Sequence, residues 1–151
     1  MIEKEMYMTL DEIQEEIIEE FEQYSDWMEK YNYLIDISKE LEPLDVKFKT
    51  PDNVIHGCQS RVWLVADIQN QKLVFKADSD AIITKGIIAL LIKVLSGRTP
   101  EEVMNADLYF IDEIGLRQNL SPTRSNGLLS MVKQMKLYAL AYHTKMNTLK
   151  E

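Results

Sequence analysis

From Ile82 to Leu95 the chain reads I-I-T-K-G-I-I-A-L-L-I-K-V-L, and this run limits what everything else can be. Ile82, Ile83, Ile87, Ile88, Leu90, Leu91, Ile92, Val94 and Leu95 fall on nearly every side of a helix, so no broad face is left for water. Such a helix belongs in the middle of a domain, with other elements packed around it. It is too short for a membrane span, and no apolar run elsewhere approaches the length of about 20 residues that one needs. Asp78-Ser79-Asp80 predicts where it starts, and Ser96-Gly97, with glycine suited to a left-handed cap, where it ends. The flanking segments must supply its cover.

Two amphipathic helices come first. Thr9-Leu10-Asp11-Glu12 has capping-box spacing, and Leu10, Ile13, Ile17, Phe21 and Tyr24 follow at three- and four-residue intervals. Ser25 and Asp26 restart a helix with the stripe Trp27, Tyr31, Leu34, Ile35 and Leu41, which Pro43 stops. Leu44 to Asn53 reads as a connector. The pattern then turns extended: Val62–Asp67 and Lys72–Ala77 are rich in β-branched and aromatic residues, with the polar turn Ile68-Gln69-Asn70-Gln71 between them. Two antiparallel strands are expected, Val62 and Leu64 on one face and Trp63 and Val65 on the other, with a third strand within Val46–His56. After the apolar helix, Thr99-Pro100-Glu101-Glu102 opens a short helix and Asp107–Leu116 predicts another. Leu120–Gly127 reads as a polar turn, and a last helix is expected from about Ser125 to Met146. The sum is an α+β fold, a single domain over residues 1–151 with a small antiparallel sheet of about three strands packed against several helices.

Charge and composition narrow the function. A formal net charge of −8 shows no basic footprint for nucleic acid. The acid is concentrated at Glu15, Glu16, Glu19, Glu20 and Glu22, a solvated helix face or a surface that steers a basic partner. Met1–Met6 is acidic and lacks the basic-then-apolar layout of a signal peptide. A single cysteine among 151 residues leaves no intramolecular disulfide and suits a reducing cytoplasm.

That cysteine, Cys58, lies in V-I-H-G-C-Q-S-R-V-W, at the mouth of the first strand. Gly57-Cys58-Gln59-Ser60 describes a turn better than a core strand. A free cysteine is commonly a small buried hydrophobe, and one reading is an interaction module with a structural cysteine and an acidic docking helix. A thiol hydrolase would use His56 or His143, together with an oxyanion hole and an orienting group. One cysteine and two distant histidines do not make a zinc or iron–sulfur ligand set, so no metal site is expected. Thiol exchange or sulfur carriage needs only one thiolate, favoured by positive charge such as Arg61 or Arg124. Without a second cysteine the chain must hand its cargo to a partner.

Three blocks in this order carry a resemblance: Gly57-Cys58-Gln59-Ser60 before Val62-Trp63, Asp78-Ser79-Asp80 before an apolar helix with Lys85-Gly86, and Leu120-Ser121-Pro122-Thr123-Arg124-Ser125-Asn126-Gly127-Leu128. The chain resembles the SufE-type sulfur acceptors over roughly Thr9 to Tyr142. The resemblance implies a fold similar to IscU-type scaffolds and a covalent persulfide on Cys58, with no resident cofactor. It also implies a SufS-type cysteine desulfurase, which carries the pyridoxal phosphate, as the stimulated donor. A scaffold such as the SufBCD complex would receive the sulfur for iron–sulfur cluster assembly. It places Gly57, Gln59, Ser60, Asp78, Asp80 and Arg124 in the persulfide loop and partner surface. CsdE-type paralogues that serve another desulfurase share the pattern.

Overall fold

The computed structural model describes residues 8–150; the acidic start Met1–Met6, read above as no signal peptide, lies outside the described residues. Helix α1 (Leu10–Glu22) is capped by Thr9, whose side chain accepts from the Glu12 N–H while the Glu12 carboxylate takes the Thr9 N–H, so two otherwise orphaned donors are satisfied. Ile13, Ile17, Ile18 and Phe21 form its buried stripe. Helix α2 (Trp27–Ser38) starts on the Asp26 side chain and ends five residues before Pro43, so Leu41 packs from beyond the helix.

Among the described residues the expected third strand is not there. Val46–Phe48 and Pro51–Asn53 are single 3-10 turns, and only an isolated bridge, Val54 to Trp63, touches the sheet. The reason is local: Asp45 accepts from the Lys47 N–H, and the Asn53 amide donates to the Phe48 carbonyl. These bonds curl the connector into turns before a ladder forms.

The sheet is a two-stranded antiparallel hairpin, β1 (Val62–Gln69) with β2 (Lys72–Ser79). Asn70 and Gln71, at φ 53° and 67°, make a two-residue turn of the handedness that suits strand twist, so β1 runs two residues into the expected turn. Val62, Leu64, Leu73, Phe75 and Ala77 are buried on one face; Trp63 and Val65 are half-buried on the other.

Against the buried face lies α3 (Ile82–Leu95), with Gly86, Ile87, Ile88, Ala89, Leu90, Leu91, Val94 and Leu95 all buried, the central helix that the apolar run demands. Gly86 lets α2 approach closely: a Cβ there would sit 2.4 Å from the Leu34 carbonyl oxygen. The helix start expected at Asp78-Ser79-Asp80 lies elsewhere. Asp78 and Ser79 belong to β2, and Ala81 occupies the N-cap of α3 with no side-chain cap. At the other end Gly97, at φ 83°, turns the chain away.

Helices α4 (Pro100–Met104) and α5 (Phe110–Glu113) follow, the first on a second capping box from Thr99 to Glu102. The last helix, α6 (Pro122–Lys150), begins three residues before the expected Ser125. Ser121 accepts from the Arg124 N–H and Pro122 takes the first helical position, so Arg124 and Gly127 lie in the helix and not in a turn. Leu128, Met131, Met135 and Ala139 bury its inner face. The Tyr138 and Tyr142 hydroxyls donate to the Leu64 and Ala66 carbonyls at 3.3 and 3.0 Å, covering the outer edge of β1.

Candidate functional site

The segment that carries Cys58 is pinned at both ends. On the incoming side the Ile55 N–H donates to the Val62 carbonyl at 2.8 Å, and Ile55 is buried. On the outgoing side the Arg61 N–H donates to an Asp80 carboxylate oxygen at 3.0 Å, and the Ser79 hydroxyl donates to the Arg61 carbonyl at 2.8 Å. Between these anchors His56, Gly57 and Gln59 are exposed, while Cys58 and Ser60 are half-buried. Asp80, which the sequence suggested as a helix start, instead clamps the loop to the end of β2.

Gly57 holds φ at 95°, a backbone that side-chain-bearing residues rarely adopt, and a Cβ there would sit 2.4 Å from the Ser130 oxygen. The loop therefore lies flat on the first turns of α6. Cys58 reaches the same helix: its thiol donates to the Gly127 carbonyl across 3.6 Å, and a Cβ on Gly127 would come to 3.4 Å from the sulfur. Two glycines, one on each side, make this close approach possible.

Beside the sulfur is a cavity of about 80 Å³, lined by Cys58, Gln59 and Ser60 from the loop, Thr84 and Ile87 from α3, and Thr123, Arg124, Gly127 and Met131 from α6. Of the residues anticipated from sequence, Cys58, Gln59, Ser60 and Arg124 thus share one cavity, with Gly57 adjoining in the loop. Asp78 does not line it. Its carboxylate bridges Lys49 at 2.8 Å and Lys85 at 3.3 Å, tying the connector and α3 to the hairpin, while the Lys49 ammonium lies over the Trp63 ring. Burial pushes the Asp78 carboxyl up, but the two lysines and the Ser79 N–H outweigh it and hold it below its ordinary range. Neither histidine lines the cavity: His56 is exposed, and His143 bonds Asn147 on the outside of α6. Ile55 and Trp63 stand outside the lining, and Ile87 and Met131 supply its apolar wall.

Positive charge near Cys58 was expected to favour the thiolate. In the closed loop the opposite holds, because burial pushes the thiol above its ordinary value. The resting sulfur is a protonated donor to a carbonyl, not a poised nucleophile. Thr84, Thr123, Gly127 and Met131 are lining residues that sequence reasoning did not name as site residues. A lone hydroxyl inside an otherwise apolar run was the visible signal for the first. Among the described residues no cluster of His, Cys, Asp and Glu is arranged to hold a metal ion, and no helix is long and apolar enough to cross a membrane.

Comparison with known proteins assigns this geometry to a family. The family model for SufE, the Fe-S metabolism associated domain, matches residues 15–139. The chain is 42% identical over 132 residues to SufE-like protein 1, chloroplastic/mitochondrial, of Arabidopsis thaliana, covering 87% of this chain and 36% of that protein. It is 40% identical over 127 residues to an uncharacterized SufE-like protein of Rhizobium etli, covering 81% of this chain and 86% of that one. A Synechocystis SufE-like protein, also uncharacterized, is 37% identical over 126 residues, covering 83% and 79%. The chain thus spans about a third of the plant relative and most of each bacterial one. The solution structure of a hypothetical protein from Thermus thermophilus shares the fold, with a TM-score of 0.71 at 20% identity over 87% of this chain and 96% of that one. A matched domain that contains the pinned loop, its cavity and the opening turns of α6 places the chain in the SufE family, whose domain is associated with iron–sulfur metabolism.

Proposed function

We propose that this protein accepts a persulfide sulfur on Cys58 from a SufS-type cysteine desulfurase and stimulates that enzyme. It then passes the sulfur to a scaffold such as the SufBCD complex, in the cytoplasm. The observation that carries the reading is the chain's one thiol, half-buried in a loop pinned at both ends and facing a small cavity. The protein works as a partner and not as an enzyme in its own right, and the pyridoxal phosphate belongs to the donor.

The transfer is a thiol exchange. The Cys58 thiolate attacks the outer sulfur of the donor's cysteine persulfide. A sulfur–sulfur bond forms on Cys58, the donor's own breaks, and its cysteine leaves as a thiolate, with no net oxidation. Delivery runs the same exchange toward the next thiol. The closed loop keeps Cys58 protonated and shielded. Docking of the donor lifts the loop from α6, relieves the burial that disfavours the thiolate, and presents the nucleophile.

The test is incubation with a cysteine desulfurase, pyridoxal phosphate and free cysteine, followed by intact mass. Gain of one or more sulfur atoms on the wild type, and none on Cys58→Ser, is expected. Sulfur on Cys58→Ser would refute the assignment.

A further inference from the structure

The last helix is set apart from the rest of the chain by its charge. It carries Arg124, Lys133, Lys136, Lys145 and Lys150, and none of the 25 acidic residues of the chain falls within Pro122–Lys150. Three large apolar side chains on it also face solvent, Leu129 at 48%, Leu137 at 47% and Leu140 at 46% exposure. Leu129, Lys133, Lys136 and Leu140 recur at four-, three- and four-residue steps and so form one stripe, with Leu137 beside it. Gly127 and Met131, which line the Cys58 cavity, are each two positions from Leu129, about 160° around the helix. The stripe therefore lies away from the thiol. The opposite charge is on α1, where Met8, Asp11, Glu12, Glu15, Glu16 and Glu19 line a shallow open groove of about 550 Å³. Here Met8, Glu12, Glu15 and Glu19 repeat the same four-, three- and four-residue steps. The two stripes flank one segment: the Lys136 ammonium donates to the Ala106 carbonyl at 2.7 Å, and the Tyr109 hydroxyl donates to the Glu15 carboxylate at 3.1 Å.

We infer that this surface, an acidic stripe on α1 and a basic, apolar stripe on α6 with residues 106–109 between them, pairs with the same surface of a second copy of the chain. A two-fold axis lays the α6 stripe of each copy on the α1 groove of the other, so lysine meets glutamate twice and an end leucine meets Met8. The α6 stripe spans eleven residue steps, about 16 Å of helix, and the α1 stripe the same number, so their lengths match. Stacking α6 on α6 would instead set lysine against lysine, which is unfavourable. Two helix faces and the strip between them make a small interface by the standard of about 800 Å² per partner. Pairing is therefore weak, concentration-dependent and sensitive to salt. The Cys58 loop stays uncovered in such a pair, because α6 turns its other side to it. The inference stands independently of the carrier reading.

The test is sedimentation velocity of the full chain from about 1 µM to about 1 mM, a range that brackets weak association, at low and at high salt. At low salt the mass should rise from monomer toward dimer with concentration, and fall back as salt is added. Lys133→Glu, or Glu16→Lys together with Glu19→Lys, should each raise the dissociation constant at least about tenfold, because every contact occurs twice. None of these three residues belongs to the core, so both variants fold. Mixed in equal amounts they should pair again, since acid meets base at both contacts of the mixed dimer. Alkylation of Cys58 should run at the same rate in monomer and dimer. A chain still monomeric at the top of the range in low salt would overturn the inference. So would a dimer that either reversal leaves intact, a mixture that fails to pair, or a dimer that slows alkylation. A monomeric chain whose Lys133→Glu variant loses binding to a cysteine desulfurase would also overturn it, and would assign the stripe to an unlike partner.

Discussion

Replacing Gly57 with alanine separates the docked loop from the fold that carries it. In the docked loop φ is 95°, and the new Cβ would meet the Ser130 oxygen at 2.4 Å. The left-handed backbone costs an L-residue about 1 to 2 kcal/mol, and turning Ser130 off its preferred rotamer adds about 0.5 to 1. A loop lifted from α6 carries neither penalty. The docked-to-lifted equilibrium therefore moves by about 2 kcal/mol, or roughly thirtyfold at 1.4 kcal/mol per decade. The readout is the alkylation rate of Cys58 at neutral pH, expected to rise toward that limit. The half-buried thiol retains some reactivity in place, which makes thirtyfold a ceiling. The pH midpoint of the reaction should fall, because lifting removes the burial that pushes the thiol up. Urea unfolding should change by less than about 1 kcal/mol, since a local opening leaves the core intact. Adding Ser130→Ala should return part of the rate. An unchanged alkylation rate, or a loss of global stability equal to the whole strain, would refute the picture of a loop that docks and lifts independently.

Two further outcomes follow from the packing. Gly86→Ala should destabilise the fold by about 2 kcal/mol, because its Cβ falls 2.4 Å from backbone oxygen at Leu34 and must push α2 from α3; the roughly 1 kcal/mol gain in helix propensity offsets only part, and urea denaturation measures the balance. Asp78→Asn removes a carboxylate that is 14% exposed and bridges Lys49 and Lys85, at a cost of about 1 to 2 kcal/mol near pH 7. The folded carboxyl lies below its unfolded value, so its stabilisation is complete above about pH 4 and is lost as pH falls through the folded value. The deficit of the asparagine variant should therefore shrink in acid, and urea curves at neutral and acid pH check it.

What the sequence made legible was what neighbours in the chain decide. The capping boxes at Thr9 and Thr99, the apolar run of α3 and the alternation in Val62–Val65 rest on contacts a few residues apart, and each took the expected form. The errors lie where a distant or competing partner wins. Val46–His56 has strand-forming residues, but Asp45 and Asn53 bond their own connector and curl it. Asp78-Ser79-Asp80 has the composition of a helix cap. Lys49 and Lys85 instead fix Asp78 at the end of the hairpin, and Asp80 serves Arg61 across the loop. The start of α6 is written in Ser121-Pro122, but proline suits a turn as well as a first helical position, and only the Ser121 cap decides between them. Cys58 was found as a candidate because it is unique. Thr84 was not, since its meaning comes from the cavity that the loop, α3 and α6 close together.

The proposed carrier role asks one loop both to shelter and to present a persulfide, and its tethers limit how both are met. Cys58 is three residues from Ile55 on one side and three from Arg61 on the other, both held by backbone hydrogen bonds. At about 3.3 to 3.6 Å per extended residue, the cysteine stays within roughly 10 Å of each anchor however far the loop lifts. Sulfur transfer requires the two reacting sulfurs nearly in contact, about 3 to 3.5 Å apart. Cys58 therefore does not swing into a distant pocket. In the proposed transfer the donor would bring its cysteine down to the surface formed by Gly57, Gln59, Thr123 and Arg124, all of them exposed. A short, pinned loop thus favours, for the proposed carrier, exchange at one place with a partner already seated on the rim.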